Sequence, residues 1–456
     1  MVLSVESKII FPQWYTGIGV TLLLLQMGFL GGWVSPTLAR LMAADSPIPL
    51  TVDEASWVAS ILNFCRFFGS ILGAVAANYL GSKRSIFVSL FPISAGWLII
   101  SLANQVKWLY LARVSSGVGI GMVYSTFPLF IGEVSTPEIR GALISLATCG
   151  VPVGQLITSI GSSFLSLSTS AVIYVSITLP LIALFVWLPE SPHHLIKIGK
   201  REEAKKSIDW YRAGTGVEKE LDAVEKFVES VKSTSFFEQL RELTSAPMRK
   251  ALFQVIALFT FMQISGVNSV LFYMETILTH AKVTVIEPFL IFIYVNVAGI
   301  FAAALSILLI DTCGRRFLLM VSSSGVGLSM IGMTCHFLLM DTYRNVPSLQ
   351  FIPIASMFLF VTSFYVGLFP VPNAILSELF PANIKCVAAS VAGLTGAMMA
   401  FLSTKTYQPL IDLMGEAYVF MIYAICAILV IPFSLFIMSE TKGKSLQQIQ
   451  DELTRK

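Results

Sequence analysis

Long apolar runs alternate along the chain with short polar punctuation. Residues 16–38, 85–103 and 418–437 each continue for about 20 residues with hardly a charge. That length spans a bilayer core of about 30 Å at about 1.5 Å per helical residue. The pattern predicts twelve helices, over 15–37, 55–80, 85–104, 108–132, 141–164, 169–189, 250–278, 286–310, 316–340, 350–379, 384–408 and 416–438. The first run is too long, and too polar past its end, for a cleaved signal, so it reads as a retained helix. One segment breaks the rhythm. Residues 191–249 are rich in Lys, Arg and Glu and read as short amphipathic helices in water.

Composition supports this reading. Of 456 residues, 55% are hydrophobic and 12% charged, about half the charge of a soluble protein, and mean hydropathy is +0.78. The fold class is therefore all-α integral membrane, with the lipid bilayer as solvent. A net charge of +3 gives nucleic-acid binding no support. Cys65, Cys149, Cys313, Cys335, Cys386 and Cys426 are scattered, with neither disulfide nor zinc spacing. His193 and His194 are adjacent and fit no metal or nucleophile pattern. No Walker motif and no N-x-S/T sequon occurs. No cofactor, metal or enzymatic activity is expected.

Placing both termini on one side puts 23 of the 30 Lys and Arg there, including Lys8, Lys83, Arg84, Arg140, Arg315, Arg316 and Lys385. The positive-inside rule makes that side cytoplasmic. The chain also repeats itself. YLGSKR (79–84) returns as DTCGRR (311–316), EVSTPEIRG (133–141) as ELFPANIKC (378–386), and PESPHHL (189–195) as SETKGKSL (439–446), offset by 233, 245 and 250 residues. Two copies of a six-helix unit, joined by the charged segment, follow. The domains read as 1–190, a linker at 191–249, 250–438 and a cytoplasmic tail at 439–456. Repeated halves with a site between them are a transporter architecture.

These residues resemble the sugar porter family of the major facilitator superfamily. The similarity is carried in order by RVSSGVGIG (113–121), PLFIGEVSTPEIRG (128–141), PESP (189–192), QISGVNSVLFY (263–273), DTCGRR (311–316), PVPNAILSELFP (370–381) and ETKGKSL (440–446). SPTL (35–38), SWVAS (56–60) and STKTYQPLIDLMG (403–415) are most similar to the insect facilitated trehalose transporters. The resemblance implies a major facilitator fold of two pseudo-symmetric six-helix domains that rock around a central sugar site. The plasma membrane is the expected location.

Two sets of residues follow from it. The first is a cytoplasmic gate of Glu133, Arg140, Glu190, Asp311, Arg315, Arg316, Glu378, Lys385 and Glu440, whose ion pairs hold the carrier outward-facing and break on opening. The bland alternative is a set of positive-inside anchors. The first half departs from the family pattern, with Asn78, Ser82 and His193 in place of an acid and two arginines. Its network is therefore expected to be the weaker one. The second set is the sugar site, comprising Gln155, Gln263, Asn268, Asn296, Asn373 and Tyr273. Phe29, Trp33, Phe272, Tyr365 and Phe369 are candidates to pack on sugar rings. An unpaired amide in lipid costs several kcal/mol, so amides such as those in FMQISGVNSVLFYM (261–274) must face protein or a wet cavity. Asn and Gln both donate and accept, which suits a neutral sugar. Helix–helix hydrogen bonding is the competing reading. Met262, Gly299 and Gly396 stand where the family keeps polar groups.

The first span, 22–38, carries no acid, so the resemblance points to facilitated diffusion and not proton coupling. Arg66 falls mid-span, where a charge is costly and faces a cavity or a partner. It either pairs with a helix carbonyl, snorkels, or lines the pathway. The last case opens a second reading, a carrier of the same fold for an anionic small molecule. A non-transporting sugar sensor is the third reading.

Overall fold

Every apolar run folds as helix, because only a helix satisfies its own backbone groups where water is absent. The computed structural model describes residues 5–43, 46, 48–232, 241–342, 347–380 and 382–442, and within these no strand occurs. Twelve helical segments are long and apolar enough to cross a membrane, as predicted. The first half comprises α1 (Val5–Gly32), α2 (Val34–Leu41), α3 (Val52–Leu80), α4 (Ser82–Ser101), α5 (Val106–Val134), α6 (Pro137–Phe164) and α7 (Leu167–Trp187). Here α1 and α2 form one span with a turn at Trp33. The linker contains α8 (Pro192–Lys197), α9 (Arg201–Tyr211) and α10 (Val217–Lys232). The second half comprises α11 (Ala246–Ile264), α12 (Val267–His280), α13 (Pro288–Cys313), α14 (Arg315–Thr342), α15 (Phe351–Ser363), α16 (Pro370–Leu379), α17 (Ala382–Met414) and α18 (Glu416–Phe436). Phe301, Leu308 and Phe436 are among many large apolar side chains left exposed on the outside of the bundle. That surface suits hydrocarbon and not water.

Two spans are broken, each for a local reason. In the seventh, Gly266 takes φ +87° between α11 and α12, a conformation that favours glycine. A Cβ there would also lie 2.5 Å from the Tyr423 ring. In the tenth, a π-helical turn, Phe364–Leu368, joins α15 to α16. Pro370 has no N–H to give the Val366 carbonyl four residues back. Ser306 Oγ donates to that carbonyl instead, at 2.8 Å, and Phe369 N bonds Phe364 O at 3.0 Å. Ser322 Oγ donates to Ser363 O at 2.6 Å and accepts from Leu368 N at 2.7 Å. The predicted span, 350–379, matches one membrane-length segment, Phe351–Leu376, and the π turn lies within it.

The linker docks on the first half at the end where α1 begins, here called the linker side. Ser207 Oγ donates to Glu190 O (2.5 Å) and Tyr211 Oη to Pro189 O (2.9 Å). Gln13 bridges Tyr211 O and Thr136 N at 3.2 and 2.8 Å. On the opposite, far side the two halves meet directly. There α2 packs on α12 and α3 on α17. Glu275 N donates to Ser35 Oγ at 3.1 Å, Lys405 Nζ reaches Asp53 Oδ1 at 2.9 Å, and Phe164 meets Phe289 edge-on at 5.6 Å.

Candidate functional site

The central polar groups come from both halves. Gln155 projects from α6 beside α1, where Gly28 and Gly32 let the two backbones touch; a Cβ on either would clash with the Val151–Gln155 backbone. Across the interface, Tyr365 Oη in the π turn donates to Gln155 Oε1 at 2.8 Å. The Tyr365 ring lies against Gly299, 3.2 Å from a Cβ built there. One of the polar positions this chain lacks is thus filled by an aromatic ring. At the break in the seventh span, Asn268 Nδ2 donates to Gln263 Oε1 at 2.5 Å. Gly396, another of the missing polar positions, faces Phe259 and Gln263.

The remaining predicted ligands sit apart from these pairs. Asn296 Nδ2 donates to Phe292 O of its own helix (2.8 Å) and is buried. Asn373, exposed, does the same with Phe369 O (2.9 Å). Tyr273 is buried and stacks on Tyr407 with ring centroids 5.0 Å apart. Phe29 packs on Tyr174, Trp33 lies under Arg113 and Phe272 is buried. Only Tyr365 and its neighbour Phe369 keep company with a central amide.

Two arginines contrast sharply. Arg113 is fully buried and donates to Val58 O (3.0 Å) and Leu30 O (3.2 Å), with the Trp33 ring beneath it at 4.8 Å. Arg66 lies over the Tyr124 ring at 5.4 Å and is only partly buried.

On the linker side each half builds the same nest. A glycine at positive φ, Gly81 (98°) or Gly314 (90°), turns the chain into the next span. An acid, Glu190 or Glu440, lies over the turn. In the first half Glu190 Oε1 accepts from Lys83 N and Ser191 N at 3.3 and 3.1 Å, and Arg84 stands 3.4 Å from Oε2. Ser82 Oγ donates to Glu133 Oε2 at 2.5 Å, and Lys197 Nζ bonds Asn78. Burial pushes the Glu190 carboxyl above the usual range. Burial also pushes His193 down to about 4, leaving it neutral at pH 7. Arg140 Nη2 reaches Ser135 O at 3.4 Å.

In the second half Arg315 places two guanidinium nitrogens on Glu378 Oε1, at 3.2 and 2.8 Å. Glu440 accepts from four backbone N–H groups, those of Arg315, Arg316, Thr441 and Lys442, at 3.0–3.2 Å. Burial raises its pKa, but these four bonds outweigh it and hold the carboxyl below the usual range. Arg316 Nη2 donates to Met438 O. The side chains of Asp311 and Lys385 lie outside the described residues.

Pattern reading missed the far-side groups. Glu275 is a buried acid whose Oε1 has no partner, within electrostatic reach of Arg40. Its signal was a single acid inside the apolar run VLFYMETIL (270–278). Asp53 and Lys405 are 352 residues apart, and nothing local connects them.

Residues 20–453 match the family described as "Sugar (and other) transporter". The chain belongs to this sugar transporter family. Its members are carriers, not enzymes. Among curated relatives, the facilitated trehalose transporter Tret1 of Polypedilum vanderplanki is 30% identical over 97% of this chain and 88% of its own length. That of Bombyx mori is 29% identical over 99% and 88%. Among solved structures, the proton:xylose symporter XylE bound to 6-bromo-6-deoxy-D-glucose superposes with a TM-score of 0.79 at 20% identity, covering 98% of this chain and 99% of that one. The inward-open form of XylE from E. coli gives 0.75 at 19%, covering 96% and 99%. These likenesses show the major facilitator fold for this sugar transporter.

Proposed function

We propose that this chain is a facilitative uniporter for trehalose or a hexose, working by alternating access. The observation that carries this reading is the Tyr365–Gln155 bond, a neutral donor–acceptor pair joining the two halves at the centre of the bundle. A sugar hydroxyl can replace either partner, because phenol and amide both donate and accept. Gln263 and Asn268 satisfy each other at the glycine break and exchange that bond for sugar hydroxyls in the same way. The relatives named facilitated trehalose transporter support the substrate.

In this reading the domains 1–190 and 250–438 rock against each other, tethered by 191–249. The linker side and the 439–456 tail are cytoplasmic, and the membrane is the plasma membrane. The far-side bonds Ser35–Glu275 and Asp53–Lys405 join the two halves, and they break when the carrier opens to that side. The nests of Glu133, Arg140 and Glu190, and of Asp311, Arg315, Arg316, Glu378, Lys385 and Glu440, set the balance on the cytoplasmic side. No acid stands in the first span to couple a proton. Glu275 acts at the far-side seam, outside the sugar site.

The test is radiolabelled uptake into proteoliposomes, trehalose and glucose separately, with and without an imposed proton gradient. Saturable uptake that ignores the gradient is expected, in wild type and in Glu275→Gln. Accumulation driven by the gradient and lost in Glu275→Gln would make the chain a symporter.

A further inference from the structure

Arg66 stands at the midpoint of α3, 14 residues from either end of Val52–Leu80. At about 1.5 Å per residue that is about 21 Å of helix each way, farther than an arginine side chain reaches. Carbonyl pairing is excluded. Among the described residues Arg66 makes no side-chain hydrogen bond and no ion pair, and its guanidinium lies over the Tyr124 ring. Its nitrogens are not among the buried, unpartnered atoms, whereas Nη2 of the fully buried Arg113 is. An arginine nitrogen with no acceptor and no seal over it is accessible, on the side of α3 that faces Tyr124 of α5. Tyr124 in turn lies within electrostatic reach of Tyr365, which bonds Gln155. A positive charge in mid-membrane with no counter-ion is costly, and a ligand that supplies an anion removes that cost.

We propose that Arg66 is the anion subsite of the central cavity and that the carrier accepts a monoanionic sugar acid. The carboxylate sits on the guanidinium, where planar bidentate pairing is available, and the hydroxyls sit on the Tyr365–Gln155 pair. This rests on the sugar site proposed above and extends its substrate class from neutral sugars to uronates.

The experiment is competition by D-glucuronate and by D-glucose against radiolabelled glucose uptake in proteoliposomes of wild type, Arg66→Gln and Arg66→Lys. In wild type, glucuronate is expected to compete at least as well as glucose. Arg66→Gln lowers the apparent affinity for glucuronate at least tenfold more than that for glucose, and Arg66→Lys restores part of the difference. Absence of competition by glucuronate in wild type overturns the proposal. So does an equal loss for both ligands in Arg66→Gln, which is the signature of a merely structural arginine. If neutral sugar does not enter wild-type vesicles at all, the sugar-transport reading fails first. Thermal shift of the purified protein then decides the subsite alone. A stabilisation by glucuronate that disappears in Arg66→Gln upholds it, and no stabilisation of wild type overturns it.

Discussion

Glu190 and Glu440 sit over equivalent glycine turns in the two halves, yet the chemistry around them differs. Glu440 receives four backbone N–H bonds where Glu190 receives two. Beside them, Arg315 grips Glu378 with two nitrogens, while the equivalent Ser82 offers Glu133 one hydroxyl. His193 is neutral where the family pattern has arginine. The backbone of the nest is thus kept in both halves, and the charge is concentrated in the second. The lesson is that the repeat conserves the turn and the acid, while the strength of each nest is set by what reaches the acid. In the second half a guanidinium reaches the acid Glu378, and in the first half a hydroxyl reaches Glu133.

The largest effect is expected from Arg315→Ala. It leaves the three-quarters-buried Glu378 without its guanidinium, a loss of about 2–3 kcal/mol. A clear fall in melting temperature and a rise in cysteine labelling on the linker side should both be seen. The counterpart Ser82→Ala removes one hydroxyl bond and should cost about 1 kcal/mol. Equal effects of the two would break the comparison.

Acidification should separate the halves next. Glu440 is held low, so its contribution to stability is present above the unfolded pKa and is lost as pH falls through the folded value. Glu190 is raised, so its contribution is present below the unfolded pKa and is lost as pH rises through the folded value. Between neutral pH and the ordinary carboxylate range, near about 4.3, Glu190 therefore takes up its proton while Glu440 stays charged. Linker-side labelling of the first half should change across that window in wild type, and the change should be smaller in Glu190→Gln. The same pH response in Glu190→Gln as in wild type would contradict the assignment. The smallest effect belongs to Arg84→Ala. Arg84 is 58% exposed and 3.4 Å from its acid, and its removal should shift stability by less than about 0.5 kcal/mol.

Much of this was legible in residues alone, for identifiable reasons. Twelve spans follow from hydropathy, since a bilayer penalises every interruption. The nests follow from the repeat, because GSKR and GRRF keep one glycine at one turn. Gly266 announces its break because few other residues tolerate its backbone. Other features were not legible. Tyr365 reads as a ring-packing candidate, but its bond to Gln155 spans 210 residues and has no local signal. The π turn depends on Ser306 catching the carbonyl that Pro370 leaves free and on Ser322 bonding Ser363 O and Leu368 N, both from other helices. The open guanidinium of Arg66 differs from that of Arg113 only through tertiary neighbours.

The central claim is one sugar site shared by two unequal halves. Titration calorimetry of trehalose and glucose on wild type, Gln155→Ala, Gln263→Ala and the double variant tests it most directly. Losing one amide hydrogen bond costs about 1–2 kcal/mol, so each single variant should weaken binding of one sugar about 5- to 30-fold, and the double variant more than either. Binding unchanged by Gln155→Ala and Gln263→Ala would contradict the account.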